Sequence, residues 1–182
     1  HRAAIRHQMH RTAHAPPALP ALPALPHTAL AAYAGAHFGK SLLWYAGELL
    51  LIYSLTEHAG LAAAAAGLVL ALGLLVSAAI GLGAGFSLRR RLCEVTRIGR
   101  LQWLGLSAAA LALLLVFAAP LLPAPLRLGY VLVLSLLFRI AYAVCDVAQN
   151  TLLSMVHWPW RGHDGASALR LAGSGIAALL IS

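Results

Sequence analysis

The sequence predicts an all-α, polytopic membrane protein, and three observations support this fold class. Hydrophobic residues make up 61% of the 182 positions and charged residues only 10%, whereas about 25% of a typical soluble domain is charged. The apolar residues form runs of about twenty or more, which is long enough to cross a hydrocarbon core of ~30 Å. The runs are apolar on every face, unlike the one-sided helices of a soluble bundle. This composition excludes a soluble enzyme.

Five predicted spans follow an N-terminal segment, at residues 38–56, 61–87, 101–122, 128–156 and 167–182. We interpret residues 1–37 as a disordered, Pro/Ala-rich cytoplasmic tail, because its Ala-Leu-Pro repeats remove helix donors. The fifth run is cut off at Ser182, so we expect a fragment or a truncated product. Met9 is the first methionine, which leaves open whether residues 1–8 are natively translated.

The arginines predict the orientation of the spans. Nine of the thirteen Lys and Arg residues lie in the tail and in the links after spans two and four: Arg2, Arg6, Arg11, Arg89, Arg90, Arg91, Arg97, Arg100 and Arg161. Because cytoplasmic loops of membrane proteins are rich in Lys and Arg, we expect a cytoplasmic N-terminus in a cell (inner) membrane. Arginines at helix junctions indicate topology, so no nucleic-acid partner is expected.

Span four has a polar stripe formed by Arg139, Tyr142, Asp146, Gln149 and Asn150. Their spacing puts all five on one side of a helix. An ionisable side chain within a span costs about 2.5–3.5 kcal/mol, so it normally faces a cavity or a partner. Two interpretations stay open: the stripe lines a solute or proton pathway, or it only joins helices by hydrogen bonds.

Span one contains Lys40 near its predicted cytoplasmic end and Glu48 well inside, on the same face as Ser41. A buried glutamate without a fixed partner can take up and release a proton. Alternatively, Glu48 is held permanently by Lys40 or by a basic residue of another span. The sequence favours neither interpretation.

Short motifs also match a known family. They are Phe38-Gly39-Lys40-Ser41, the segment Thr56 to Leu61 that ends span one, Asp146-Val147-Ala148-Gln149-Asn150 in span four, and Ser167-Ala168-Leu169-Arg170. With these motifs, residues 38–182 resemble the N-terminal half of the glycoside–pentoside–hexuronide:cation symporters. That family is the melibiose-permease type within the major facilitator superfamily. The resemblance implies the first five helices of a twelve-helix transporter, with a C-terminal half outside this chain.

The resemblance implies a sugar site between two six-helix halves, in which Asp146 and Arg170 contact sugar hydroxyls. Tyr142, Gln149, Asn150 and Lys40 complete the expected substrate-binding residues. In the resembled family, aspartates of helices one and two hold the coupling cation, and Ser41, Ser77 and Gly81 occupy those positions here. Sodium prefers charged oxygen ligands, so sodium coupling is doubtful.

Proton coupling through Glu48 or Asp146, or uncoupled transport, then becomes the expectation. The expected coupling residues are Glu48, Arg139, Ser41 and Ser77, with no metal site and no cofactor. The predicted function is secondary active symport of a small polar solute, a sugar or glycoside, by alternating access in the bilayer. One alternative is a carrier of lipid-like or amphipathic solutes, and another is a non-transporting scaffold. No catalytic constellation is found, so we do not expect an enzyme.

Overall fold

The computed structural model of the chain describes residues 27–87, 94–155 and 162–182, and every regular element in these ranges is a helix. The five long helices are α1 His27–Tyr45, α2 Ala63–Ser87, α3 Val95–Phe117, α4 Ala124–Met155 and α5 Gly162–Ile181. This confirms the all-α prediction. The basic links at 89–91 and Arg161, which underlie the predicted orientation, lie outside the described residues.

The first helix differs from the prediction at both ends. It begins at His27, so residues 27–37 are helical and do not belong to a disordered tail. The physical reason is that the prolines stop at Pro26, and the Ala-rich stretch after it consists largely of good helix formers. Residues 1–26 of the predicted tail lie outside the described part of the chain.

Beyond Tyr45 the helical path continues with changed winding. Residues Ala46–Leu50 and Ser54–His58 are π-helical, with one α-helical turn, Leu51–Tyr53, between them. A π-helical turn is wider than an α-helical one and often occurs at functional sites. The winding change falls on Glu48, a predicted coupling residue.

Four helices are long and apolar enough to cross a membrane in the described ranges: Ala63–Gly83, Val95–Phe117, Ala124–Met155 and Asp164–Ile181. They correspond to predicted spans two to five. The predicted first span is not among them, since α1 includes His37 and Lys40 and then changes to π-helix. Large leucines stay exposed on the outward faces of these helices, as lipid contact requires. The chain is a multi-pass membrane protein.

One end of the bundle is fixed by its connections. Gly60 ends the first helical path with φ +66°, a left-handed conformation that favours glycine. The Arg127 guanidinium donates to the carbonyl oxygens of Ala59 and Leu122, both at 2.9 Å. This side chain therefore joins the α1–α2 connection to the start of α4.

Helix α4 is central: it packs along α3 and α2, while α1 packs on α5. A side chain at Gly105 of α3 would come within 2.9 Å of the Cys145 backbone nitrogen, so this glycine permits the close α3–α4 contact. Apolar clusters lie near both ends of the bundle, around Leu55 and Val131 at one end and around Leu30 at the other. The polar residues lie between these clusters, on the facing sides of α1 and α4.

Candidate functional site

Helices α1 and α4 run antiparallel and face each other through a ladder of side chains. The facing pairs are His37 with Gln149, Lys40 with Asp146, Trp44 with Tyr142, and Glu48 with Arg139. Glu48 lies in the π-helical segment Ala46–Leu50 that continues α1, and it is counted with α1 below. The α1 members recur every three or four residues, which is the spacing of one helical face. The ladder brings the polar stripe of α4 against a matching polar face of α1.

The second pair is an ion pair that opens onto a cavity. Lys40 Nζ contacts Asp146 Oδ1, and the lysine side chain is buried while 40% of the aspartate stays exposed. Asn150 Nδ2 donates to the other carboxylate oxygen, Asp146 Oδ2, at 3.0 Å. Lys40 also lies 5.7 Å above the Tyr142 ring, within cation–π range. A buried cation thus holds a carboxylate that keeps an accessible face.

A cavity of about 270 Å³ adjoins this pair, close to the ~300 Å³ at which ligand pockets begin. It is lined by Lys40, Asp146, Trp44, Tyr45, Tyr142, His37, Ser41 and Ser174. A neighbouring cavity of about 290 Å³ is lined by Arg170, Ser167, Leu171, His37 and Ser174. The two cavities share His37 and Ser174, so Asp146 and Arg170 lie on either side of one common wall.

That wall is a hydrogen-bonded group around His37, which is only 5% exposed. Its Nδ1 lies 2.9 Å from Gln149 Oε1 on α4, and its Nε2 lies 2.9 Å from Ser174 Oγ on α5. Ser41 Oγ donates to the His37 carbonyl at 2.9 Å and also lies 3.0 Å from Ser174 Oγ. One imidazole therefore joins the three helices that surround the cavities.

The last pair of the ladder has a buried arginine side chain. Arg139 is 1% exposed, and its Nη1 lies 2.6 Å from Glu48 Oε1, an ionic contact without the angles of a directed hydrogen bond. The guanidinium carbon lies 5.1 Å from the Trp44 ring centroid and 5.6 Å from that of Phe138. Two aromatic rings and one carboxylate thus replace water around this cation.

Helix α2 covers the same arginine. A side chain at Gly73 would come within 3.2 Å of Arg139 Cγ and Nε, so the missing Cβ makes room for it. One turn later, the buried Ser77 Oγ has no hydrogen-bond partner among the described residues. Ser77 lies four residues after Gly73 and so shares its face of α2. Ser41, in contrast, belongs to the cavity wall.

Comparison with protein families identifies the chain. A family model described as MFS/sugar transport protein matches residues 32–181. The chain belongs to this family. No curated protein and no solved structure matches. The match confirms the major facilitator superfamily and a membrane transporter, which is not in general an enzyme.

In this family member, the predicted site residues separate into two groups. Asp146, Tyr142 and Lys40 line one cavity, Arg170 lines the neighbouring one, and Asn150 bonds to Asp146. Gln149 is fully buried and binds His37, while Arg139 and Glu48 pair with each other. For Glu48, the structure matches the alternative in which a basic residue of another span holds it.

Sequence reasoning missed several residues of the site, above all His37. It precedes Lys40 by three residues and therefore shares its helical face, which was a usable signal. Assigning residues 1–37 to the tail hid that relation. Ser174 and Tyr45 had no signal, because a serine or tyrosine in a span is common and only packing shows which one faces a cavity.

Proposed function

We propose that the protein is a secondary active transporter of a small polar solute, a sugar or glycoside. The observation that supports this most is the half-exposed Asp146 carboxylate, held by buried Lys40 at the edge of the cavity. A carboxylate accepts hydrogen bonds from two hydroxyl groups, which neighbouring hydroxyls on a sugar ring offer together. Lys40 thus positions the Asp146 carboxylate while part of it stays accessible to a solute.

The aromatic side chains supply the second half of sugar recognition. Trp44 and Tyr142 line the same cavity, with ring centroids 5.1 Å apart. Their faces offer apolar surface to the C–H side of a sugar ring, while Asp146 addresses its hydroxyls. Arg170 across the shared wall supplies donors for further hydroxyls.

Alternating access requires a second half that closes over the cavity. We propose that a C-terminal half completes a twelve-helix carrier and that the two halves rock about the site. The basic residues of the tail and of the links favour a cytoplasmic N-terminus in a cell (inner) membrane. Relation to the melibiose-permease type rests on the motifs around Lys40 and Asp146.

Coupling to protons fits the charges better than coupling to sodium. The positions where the resembled carriers have cation-binding aspartates include Ser41 and Ser77. Ser41 lines the cavity, and Ser77 Oγ is buried without a hydrogen-bond partner among the described residues. Sodium needs several oxygen ligands with negative charge around one point. We therefore propose symport with a proton.

The test is uptake into proteoliposomes that contain the full-length transporter, with labelled glucose, galactose and melibiose. We expect exchange of at least one sugar, accumulation under an imposed pH gradient, and loss of both in Asp146→Asn. The matched control is Glu57→Gln, which removes an exposed carboxylate outside the cavity. Accumulation under a sodium gradient alone would contradict proton coupling.

Absence of exchange for every sugar would contradict the proposed solute class. Uptake of a fluorescent lysophospholipid by the same vesicles would then identify an amphipathic solute instead. If neither solute moves while the protein is folded, the chain belongs to a non-transporting scaffold.

A further inference from the structure

We infer that His37 is the proton-binding group of this transporter, which makes the imidazole the link between solute and proton. The inference rests on the proposed symport and names its coupling site. Glu48, the carboxylate first expected to carry the proton, already has Arg139 within 2.6 Å. Asp146 is held by Lys40. Among the described residues, the hydrogen-bond partners of the His37 ring are neutral.

The hydrogen bonds around His37 accommodate two proton states. The Ser41 hydroxyl donates its hydrogen bond to the His37 carbonyl oxygen. In the contact between the two serines, Ser174 must therefore be the donor and Ser41 the acceptor. The contact from Ser174 to Nε2 is then filled only if Nε2 has a proton of its own. With Gln149 Oε1 facing Nδ1, that nitrogen also donates. All four contacts are filled when the ring carries both protons.

The same hydrogen-bond contacts can also be filled when the His37 ring carries only one proton. Without its proton, His37 Nδ1 becomes an acceptor. Rotation of the Gln149 amide then lets Gln149 Nε2 donate a hydrogen bond to it. In the present orientation Gln149 Nε2 is buried without a hydrogen-bond partner among the described residues. The proton state of His37 therefore selects the amide orientation of a fully buried residue on α4.

The charges around the ring connect it to solute binding. In the part of the chain that the structure describes, the charged and titratable side chains around His37 are Tyr33, Lys40 and Tyr45 on α1, Tyr142 and Asp146 on α4, and Arg170 on α5. Positive neighbours oppose a charged imidazole and a carboxylate favours it. A sugar that binds Asp146 and Arg170 therefore changes both the favourable effect of the carboxylate and the unfavourable effect of the arginine on a charged His37.

The step itself involves one proton only. A hydronium ion on one side of the membrane gives a proton to His37 Nδ1 and leaves as water, the ring becomes an imidazolium ion, and Gln149 turns its oxygen toward it. After reorientation of the carrier, Nδ1 returns the proton to water on the other side. One positive charge crosses with each solute, and no other bond forms or breaks.

The first test separates coupling from solute movement in proteoliposomes with the full-length transporter. His37→Gln keeps a side chain that donates and accepts but does not titrate. We expect accumulation driven by a pH gradient to fall at least about tenfold further than exchange at equal pH, because His37 also lines both cavities and its loss lowers exchange too. His58→Gln is the control and should change neither, because this exposed histidine lies outside the two cavities that His37 lines. Unchanged driven accumulation in His37→Gln would overturn the inference.

The second test does not depend on transport. Nitrogen NMR of histidine-labelled protein in lipid nanodiscs identifies the His37 ring as the resonance lost in His37→Gln. We expect this ring to gain a proton as the pH is lowered, and its resonance to shift when melibiose, galactose or glucose is added. A ring with a constant proton count overturns the inference even where sugar exchange is observed. Failure of exchange in wild type concerns the proposed function instead.

Discussion

Two ion pairs join α1 to α4, and they differ in what surrounds them. Lys40–Asp146 borders a cavity and leaves 40% of the carboxylate exposed, whereas Glu48–Arg139 has 26% of the carboxylate and 2% of the guanidinium exposed. The polarity is also reversed, with the cation on α1 in the first pair and on α4 in the second. Access to the carboxylate separates a binding group from an internal support.

Packing produces this difference. Around Arg139, the rings of Trp44 and Phe138 and the backbone at Gly73 pack closely against the guanidinium group and its stem. Around Asp146, the gap between α1 and α4 stays open, because α1 packs mainly on α5. We therefore expect substitutions at the Arg139 pair to reduce stability and substitutions at the Asp146 pair to reduce transport.

Arg139→Met should have the largest effect. It leaves the partly buried Glu48 without its counter-charge, so the free energy of unfolding should fall by about 3 kcal/mol, the lower end of the range for breaking a buried pair. Denaturant unfolding of the purified protein in detergent measures this. The control Arg97→Met breaks an exposed pair with Glu94 and should cost about 0–1 kcal/mol. Equal losses in the two variants would show that Arg139 is not a support.

Gly73→Ala should follow, because the added Cβ would lie 3.2 Å from Arg139, which its neighbours hold in place. We expect a loss of about 1–3 kcal/mol in the same unfolding measurement. Gly81→Ala on the same helix meets open space, so it should be neutral or gain up to about 1 kcal/mol of helix propensity. A stabilised Gly73→Ala protein would mean that α2 does not close on the arginine.

Lys40→Gln should affect transport more than stability. The Asp146 carboxylate would lose the cation that positions it, while water in the cavity can still reach it. We expect the half-saturating sugar concentration to rise about tenfold, which corresponds to about 1.4 kcal/mol. Exchange kinetics in proteoliposomes measure this. A variant that unfolds as readily as Arg139→Met but binds sugar normally would remove the distinction between the pairs.

Trp44→Phe should have the smallest effect, and this effect should be seen both in the unfolding measurement and in sugar affinity. Trp44 lines the cavity and also stacks on Arg139, and a phenyl ring attracts a cation less strongly. We expect a loss of about 0.5–1 kcal/mol in stability together with a modest loss of sugar affinity. Trp103→Phe, at a 68% exposed position on α3, is the control. An effect confined to one readout would assign Trp44 to one region alone.

Much of the fold could be predicted because the bilayer imposes strong rules on sequence. Runs of apolar residues indicated four helices long enough to span a membrane, since a span needs a minimum length, but α3 at Val95–Phe117 lies earlier in the chain than the predicted 101–122. The prediction was wrong for α1, where the first polar residues lie inside a helix. Polar residues in α1 tolerate burial because α4 and α5 supply their partners, and no local pattern reveals partners more than a hundred residues away.

The sequence by itself determined that the chain is helical, crosses a membrane and has an unusual set of charges on its first and fourth spans. Hydrophobicity and spacing are properties of residues that are close in the chain, so the amino-acid sequence alone contains them. The tertiary structure alone decided which charges meet: Glu48 pairs with Arg139, Lys40 with Asp146, and His37 bridges Gln149 and Ser174. Those pairings depend on which helices pack together and how closely, which the antiparallel contact of α1 and α4 fixes.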